Sequence, residues 1–390
     1  MAPGRGDVSV DLPVDVVDGV RDWLAREPGE VTVARVAAAF RAMGRPVGDA
    51  TVLAVHDHVR REVIGAGPLE SLLRTPGVTD VLVNGPDEVY LDRGMGLELT
   101  EVRFADDRSV RRLAQRLAAS AHRRLDDSVP YVDVRLLDGT RCHAMLAPLA
   151  RPGTLISLRV PSERAFSVAD LVDARTVTQA GAELLQTLVA VRAACVISGG
   201  TGSGKTTLLA AMLGLVPREE RIVIVEDSSE LRPDHPHVVG LEARLPNVEG
   251  AGAVDVRTLV RQALRMRPDR LVVGEARGPE VIDLLAALNT GHEGGLCTVH
   301  ANAARDVPAR LEALAMAAGL DRAATHSQCA SGIDVILHVA RVGGLRRLEE
   351  IAVLESRSDG LVAALSAVRF GPTVIRGPGY DRLMEVAYGR

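Results

Sequence analysis

A glycine-rich segment at residues 199–207 constrains the fold of this chain more than any other stretch of its sequence. The segment reads GGTGSGKTT and fits the phosphate-loop pattern G-x-x-x-x-G-K-[ST]. Apolar residues 194–198 before it predict a buried strand, and residues 205–215 predict a helix that starts inside it. A strand, a glycine-rich turn and a helix in this order are typical of α/β folds in which the helix N-terminus binds phosphate.

The residue types in the segment suit that chemistry. Glycines let backbone N–H groups turn toward phosphate oxygens without a side-chain clash. Lys205 would place its ammonium on the β and γ phosphates of ATP, and the Thr206 hydroxyl would ligate Mg²⁺. Lysine and arginine number 46 together and Lys205 is the one lysine, so we expect it to lie where an ammonium is specifically required. The predicted ATP-binding residues are Gly199, Gly200, Thr201, Gly202, Ser203, Gly204, Lys205, Thr206 and Thr207.

The hydrophobic pattern predicts three structured parts and a linker. Apolar stripes at helical spacing predict a short helical N-terminal extension over residues 1–65. Residues 66–165 combine short β-like runs with one helical segment at about 106–122, which predicts a small α+β domain. We expect residues 166–178 to be a linker. From 179 to 390, strand-like and helical segments alternate, which predicts an α/β domain with helices on both faces of its sheet.

The composition argues against several classes of protein, among them nucleic-acid-binding and membrane-spanning proteins. The formal net charge is −5, so no strong basic field draws the chain onto nucleic acid. Aromatic residues make up 2% of the chain, too few for base-stacking platforms. No apolar run approaches the ~20 residues of a membrane helix, so we expect no membrane span. The first fifteen residues carry acids where a signal peptide needs a basic start and an apolar block, so we expect no signal peptide. The four cysteines are widely spaced, which fits a reducing cytosol and predicts no disulfide framework or zinc site.

A cluster of carboxylates, Glu226, Asp227 and Glu230, follows a strand-like run. At the end of a strand these groups could coordinate a metal ion through water and help to activate an attacking water. Asp and Ser residues also favour turns, so a turn cap explains the same pattern equally well. The residues by themselves leave both interpretations open.

Another apolar strand, residues 270–273, ends at Gly274 and Glu275. Ligands of open α/β sheets bind at this end of the strands, so Glu275 is a candidate base or ligand of metal-bound water. Two histidines, His292 and His300, lie on either side of a further short strand. Their spacing is not a metal-binding spacing, and a lone histidine is usually a packed or capping residue.

In order and spacing, these four segments resemble the motifs of the type II/type IV secretion ATPases. That family has a phosphate loop, an acidic Asp box, a Walker B strand that ends in Gly-Glu, and a His box. The matching segments here are residues 199–207, 226–230, 274–275 and 292–300. The resemblance spans residues 65–345 and is strongest to the tight-adherence (Tad/Flp pilus) branch, which also includes conjugation-type ATPases. The absence of a tetracysteine zinc motif favours that branch.

The resemblance implies a RecA-like P-loop motor domain at 179–390 and an α+β domain that swings over its nucleotide. The resemblance also assigns roles by position. Glu275 and Glu230 would act on the attacking water, and His300, with His292, would contact the γ-phosphate. Thr206, Glu226 and Asp227 would coordinate Mg²⁺, partly through water. Arg135, Arg141 and Arg159 of the α+β domain would complete the site, because guanidinium groups pair bidentately with phosphate. Most arginines of so arginine-rich a chain are solvated surface charges, and that alternative stays open for these three.

The implied function is that of a cytoplasmic ATP-hydrolysing motor. It would form a homohexamer, be recruited to the inner face of the cell membrane, and drive an inner-membrane platform that secretes protein or assembles a Tad/Flp-type pilus. We expect no stable nucleic-acid binding. One alternative is a RecA-like nucleic-acid-dependent ATPase or a conjugation-type DNA transfer motor. Another is an ATP-gated scaffold without turnover, against which Glu275 argues. An ABC-type ATPase is disfavoured because no LSGGQ-like signature occurs.

Overall fold

The structure, a computed structural model, forms two units, Met1–Ser162 and Glu163–Arg390. It describes residues 16, 19–20, 23–24, 32–45, 47–49, 51–56, 66–94, 96–161, 165–244, 246, 250–291, 293–371 and 373–389. None of the helices in these ranges has the length and apolar character needed to cross a bilayer.

The N-terminal part of the first unit has a small hydrophobic core of its own. Helix α1 (Val33–Ala42) begins after Thr32, whose hydroxyl accepts a hydrogen bond from a backbone N–H in the first turn. Three of the apolar residues at helical spacing in the predicted extension, Val17, Val59 and Val63, lie outside the described residues. The buried residues of this core are Val16, Val20, Val36, Ala39, Phe40, Val52 and Val55.

An antiparallel six-stranded sheet with one long helix forms the rest of the described first unit. A 3₁₀ turn (Gly67–Leu69) and the short helix α2 (Glu70–Leu73) precede it. Helix α3 (Asp107–Ser120) is capped by Asp106, which accepts a hydrogen bond from the Ser109 backbone N–H at 2.8 Å. The strand order is β3-β2-β1-β6-β5-β4, with β1 (Asp80–Asn84), β2 (Val89–Asp92), β3 (Leu97–Leu99), β4 (Tyr131–Arg135), β5 (Arg141–Met145) and β6 (Leu155–Arg159).

A nine-stranded mixed sheet organises the second unit, in the order β15-β14-β13-β12-β7-β11-β10-β8-β9. Neighbouring strands pair in parallel along the part of this order that runs β12-β7-β11-β10-β8-β9. Strands β13, β14 and β15 add an antiparallel extension beside β12. The strands are β7 (Cys195–Gly199), β8 (Ile222–Glu226), β9 (Val238–Glu242), β10 (Arg270–Val273), β11 (Leu296–His300), β12 (Val335–Val342), β13 (Leu345–Ser356), β14 (Val362–Phe370) and β15 (Val374–Arg376).

Helices cover both faces of this sheet. One face carries α4 (Val168–Asp173), α5 (Gln179–Ala190), α6 (Lys205–Leu213) and α11 (Tyr380–Tyr388). The other carries α7 (Val256–Ala263), α8 (Glu280–Leu288), a 3₁₀ turn (Ala304–Asp306) with α9 (Val307–Ala317), and α10 (Arg322–Gly332). Neighbouring residues of β7 belong to opposite cores, Ile197 to the first and Val196 to the second. Burial on both faces explains why the central strands read as continuous apolar runs.

The predicted linker at residues 166–178 is instead part of the second unit. Its centre is the six-residue helix α4, whose N-terminus is closed by a capping box between Ser167 and Asp170. Val168 and Leu171 are buried in the same core as α5. These two apolar residues are three positions apart and share one helical face, but a six-residue helix gives too little periodicity to be recognised in the sequence.

Candidate functional site

The phosphate loop connects the central strand β7 to helix α6. All five residues of β7 are buried, and α6 starts directly after the loop. Gly202 and Gly204 have φ angles of +68° and +101°, a left-handed backbone that favours glycine. A Cβ on Gly199 would collide with the Val339 carbonyl oxygen and lie 2.5 Å from Ser203 Oγ. The backbone of the loop therefore requires three of its glycines.

Lys205 is held inside this loop and is only 7% exposed. Its Nζ donates hydrogen bonds to the carbonyl oxygens of Gly199 at 3.1 Å and Gly200 at 3.0 Å. Burial lowers the pKa of the ammonium, and the negative charge of Glu275 acts in the opposite direction. An ammonium has three donors, so these two bonds leave one N–H for a ligand.

Two observations favour phosphate as the group that this loop binds. Ser203 Oγ is buried and has no hydrogen-bond partner within the described part of the chain. A buried hydroxyl in that state is unfavourable until a ligand or water satisfies it. Glycine at position 199 also keeps open the space beside this hydroxyl, which any side chain would fill. The loop therefore fits a bound polyphosphate group.

The backbone around Glu275 is fixed between two neighbouring strands. The Gly274 N–H donates to the Val225 carbonyl on one side, and the Ala276 N–H donates to the Thr298 carbonyl on the other, both at 2.8 Å. In the sheet, β11 separates β10, which leads to Glu275, from β7, which leads to the loop. The carboxylate therefore stands at the same edge of the sheet as the phosphate loop.

The two oxygens of the Glu275 carboxylate have different surroundings. Oε2 accepts a hydrogen bond from Arg277 at 2.5 Å. Oε1 lies 2.7 Å from His300 Nε2, but the angle between the two groups is not that of a hydrogen bond. Within the described ranges Oε1 is thus buried without a hydrogen-bond partner, and it can accept a proton or a hydrogen bond from a ligand.

His300 ends strand β11, next to Glu275. Burial lowers the pKa of its imidazole, the ammonium of Lys205 lowers it further, and Glu275 raises it. The net direction is downward, so the ring is neutral at neutral pH. The structure thus brings together Lys205, Glu275 and His300 at the carboxyl ends of parallel strands. His292 lies outside the described residues.

Glu226, the first carboxylate of the Asp box, has a structural use. It is 6% exposed, and its Oε1 accepts hydrogen bonds from the backbone N–H groups of Glu230 and Leu231, each at 3.0 Å. A Cβ on Gly274 would lie 2.6 Å from Glu226 Cγ, so the glycine before Glu275 makes room for this side chain. The turn-cap interpretation therefore describes this oxygen of Glu226 better than metal ligation does.

The predicted metal ligands do not form a metal site by themselves. In the described part of the chain, no three His, Cys, Asp or Glu side chains are grouped so that they could hold a metal ion. Asp227 is half-exposed and lies 3.9 Å from Arg277. Thr206 lies in the first turn of α6, beside Lys205. A Mg²⁺ ion here would therefore depend on nucleotide and water oxygens, with the Thr206 hydroxyl as the ligand from the loop.

Arg277 is a site residue whose role no sequence pattern indicated. One terminal nitrogen donates to Glu275 Oε2, and the other lies 3.9 Å from Asp227 Oδ2. The guanidinium therefore links the carboxylate after β10 to the Asp box. Its position two residues after Glu275 was visible, but nothing distinguished it from the many other arginines.

A buried histidine, His338, joins the strand before the phosphate loop to its neighbour. It is 4% exposed, and its Nδ1 lies 2.9 Å from Ser198 Oγ. The backbone of Asn302 also hydrogen-bonds to it, and burial lowers its pKa. His338 therefore connects β7, β12 and the segment that follows His300.

The three predicted arginines of the first unit form a row across its sheet. Arg135 on β4 faces Arg141 on β5, and Arg141 faces Arg159 on β6. Arg159 also donates to Asp80 at 3.1 Å, so it already has a carboxylate partner. Leu137, at the tip of the β4–β5 hairpin, is 96% exposed. The sheet register thus places three guanidinium-bearing residues side by side.

The fold and the site define an α/β protein with a phosphate-loop unit, preceded by a smaller α+β domain. The sequence model of the family described as "Type II/IV secretion system protein" matches residues 62–350, and this chain belongs to that family. The family predicted from the four motifs is therefore confirmed.

Relatives cover most of the chain. The "Putative conjugal transfer protein Rv3659c" of Mycobacterium tuberculosis is 56% identical over 327 residues, which are 82% of this chain and 93% of the relative. The type IV secretion system protein PtlH of Bordetella pertussis is 30% identical over 324 residues, 76% of this chain and 94% of that protein. The crystal structure of the pilus retraction motor PilT with bound ADP has a similar fold, with a TM-score of 0.52, 16% identity and 85% of each chain covered.

Proposed function

We propose that this chain is an ATP-hydrolysing motor of a type IV secretion or conjugation-type machine. The main support is the grouping of Lys205, Glu275 and His300 at one edge of the sheet, where a buried oxygen of Glu275 lies 2.7 Å from His300 and has no hydrogen bond to a described residue. A phosphate loop with a nearby carboxylate, one of whose oxygens can still accept a proton, is suited to phosphoryl transfer to water.

The phosphate loop would hold the β and γ phosphates of ATP. Lys205 would donate its third N–H to a phosphate oxygen, which is a stronger acceptor than the loop carbonyls because it is charged. Mg²⁺, when bound through Thr206, Asp227 and water, would neutralise charge on the transferred phosphate. Glu226 would contribute by keeping the Asp-box turn in shape, since one of its oxygens is already bonded to backbone.

Glu275 would act as the general base, with Glu230 assisting nearby. A base must accept a proton, and Glu275 Oε1 is a buried carboxylate oxygen without a hydrogen bond to a described residue. Arg277 holds the other oxygen and so fixes the orientation of the carboxylate. His300 lies beside it, and a neutral imidazole keeps one ring N–H that could donate to the γ-phosphate.

Arg135 and Arg141, with Arg159 as a third, would stabilise the phosphates when the α+β domain closes over the nucleotide. Arginine suits this step because its planar fork matches phosphate oxygens. We propose further that six copies form a ring, as the family resemblance implies, and that the ring acts at the inner face of the cell membrane on a platform protein.

The names of the relatives favour a conjugation-type or type IV secretion machine over the Tad/Flp pilus that the sequence resemblance ranked first. A conjugation-type DNA transfer motor is therefore the second candidate. Stimulation of ATP hydrolysis by single-stranded DNA would support it, and hydrolysis that is indifferent to DNA would support a protein-secretion motor.

Phosphate release by the purified chain tests the proposed function. We expect Mg²⁺-dependent release from ATP that is abolished by Lys205→Ala, because this change removes the only ammonium from the loop while the folded state survives. Wild-type protein that releases no phosphate, or Lys205→Ala protein that releases it at the wild-type rate, would overturn the proposal. Circular dichroism and thermal unfolding of the variant would confirm that its fold is intact.

A further inference from the structure

A hairpin distant in sequence contacts the phosphate loop. Strands β12 and β13 turn at Gly343 and Gly344, whose φ angles are +59° and +84°. Arg346 on β13 donates a hydrogen bond from Nε to the Gly202 carbonyl, 144 residues away in the chain, at 3.0 Å. A Cβ on Gly204 would lie 3.3 Å from Arg346 Cδ, so the stem of the arginine packs against the loop.

The terminal nitrogens of Arg346 are free of partners among the described residues. The same hairpin carries Arg341 and Arg347, and in the ranges that the structure describes none of the three is ion-paired with a carboxylate. Arg341 faces Arg346 directly across the two strands, and like charges in facing positions disfavour each other. Positive charge without a counter-charge beside a phosphate loop is suited to bind an anion.

We propose that Arg346 is a nucleotide-binding residue that holds the phosphate groups of ATP and ADP through its terminal nitrogens. This inference rests on the proposed ATP site. The bond from Nε to Gly202 already fixes the guanidinium over the loop, so little side-chain freedom remains to be lost when phosphate binds. Arg346 also belongs to the same structural unit as the loop, so this contact needs no movement of the α+β domain.

The Arg346→Gln variant separates phosphate binding from a purely structural role. The amide nitrogen of glutamine occupies the same position along the side chain as Nε of arginine, so it can keep the bond to the Gly202 carbonyl. The change removes the charge and both terminal nitrogens. We expect the Kd of Mg·ADP, measured by titration calorimetry, to rise about tenfold, the effect of losing a charge-assisted hydrogen bond.

Arg341→Gln is the matched control, because Arg341 lies on the same hairpin and also uses its Nε, here to bond the Gly344 carbonyl at 3.2 Å. It loses the same charge, and we expect its Kd to stay within about twofold of wild type. An equal rise of the Kd in Arg346→Gln and Arg341→Gln would overturn the role of Arg346 in binding phosphate. A wild-type Kd in Arg346→Gln together with a raised Kd in Arg346→Ala would overturn it as well. Wild-type protein that does not bind Mg·ADP would instead overturn the proposed ATP site.

Discussion

Replacement of Glu275 by glutamine should separate ATP binding from ATP hydrolysis. Glutamine has nearly the size of glutamate, and its carbonyl oxygen can still accept the hydrogen bond from Arg277. Its amide group would then take the place of Oε1, beside His300. The side chain is 19% exposed in the native protein, so the substitution replaces a mostly buried group with one of equal volume and should preserve the fold.

The expected effect on the rate is large. A glutamine cannot take a proton, and loss of a general base typically slows a reaction by about 10²–10⁴-fold, or about 3–5 kcal/mol of activation free energy. Binding should change little or become tighter, because removal of a carboxylate also removes its repulsion toward the γ-phosphate. The variant should therefore hold ATP without hydrolysing it.

Single-turnover phosphate release at saturating Mg·ATP measures the rate, and equilibrium titration measures affinity. Glu230→Gln is the comparison variant, since Glu230 is an exposed carboxylate of the neighbouring Asp box. We expect it to lose much less activity than Glu275→Gln. Near-normal hydrolysis by Glu275→Gln combined with an inactive Glu230→Gln would refute the assignment and move the base to the Asp box.

The parts of the fold that the sequence predicted best are those governed by local patterns. The strand, loop and helix around Lys205 were predictable because glycine spacing and an apolar strand are properties of one short segment. Helix α4 was not predicted because it has only six residues. Its buried pair, Val168 and Leu171, gives almost no hydrophobic periodicity. A capping box at Ser167 was present in the sequence and could have indicated it.

The parts of the site that sequence analysis missed depend on strand order. His338 reaches Ser198 across 140 residues, and Arg346 reaches Gly202 across 144. Both contacts exist because β12 lies beside β7 in the sheet, an arrangement that hydrophobic periodicity does not specify. Spacing also did not predict that Glu226 bonds backbone N–H groups while Glu275 bonds Arg277, because these partners depend on the folded arrangement of the strands.

Three further predictions concern the loop, the arginine row and the buried histidine. Lys205 and the N-terminal amine are the only amines of the chain, so an amine-reactive reagent should modify Lys205, and bound Mg·ATP should protect it. Peptide mapping that finds equal labelling of Lys205 with and without nucleotide would contradict this prediction. Arg135→Ala and Arg141→Ala should slow hydrolysis at saturating ATP more than they raise the Kd, and a change in Kd alone would count against their role in the closed state. Burial lowers the pKa of His338, so below about pH 6.5 the unfolded chain binds a proton that the folded chain does not, and stability should fall as the pH falls. Thermal unfolding across this range should show a smaller pH slope for His338→Gln, and an identical slope would contradict the assignment.

The space around each side chain explains why one cation at the phosphate loop is a lysine, Lys205, and another is an arginine, Arg346. Nζ of Lys205 lies between two loop carbonyls at 3.1 and 3.0 Å in a position that is 7% exposed. A guanidinium there would bring five N–H donors in a rigid plane, and the enclosed space would leave several of them without acceptors. Arg346, which also contacts the loop, is exposed, and at this position the chain uses a guanidinium. A chain that otherwise relies on arginine therefore keeps a compact ammonium where phosphate, backbone and cation must share one enclosed space.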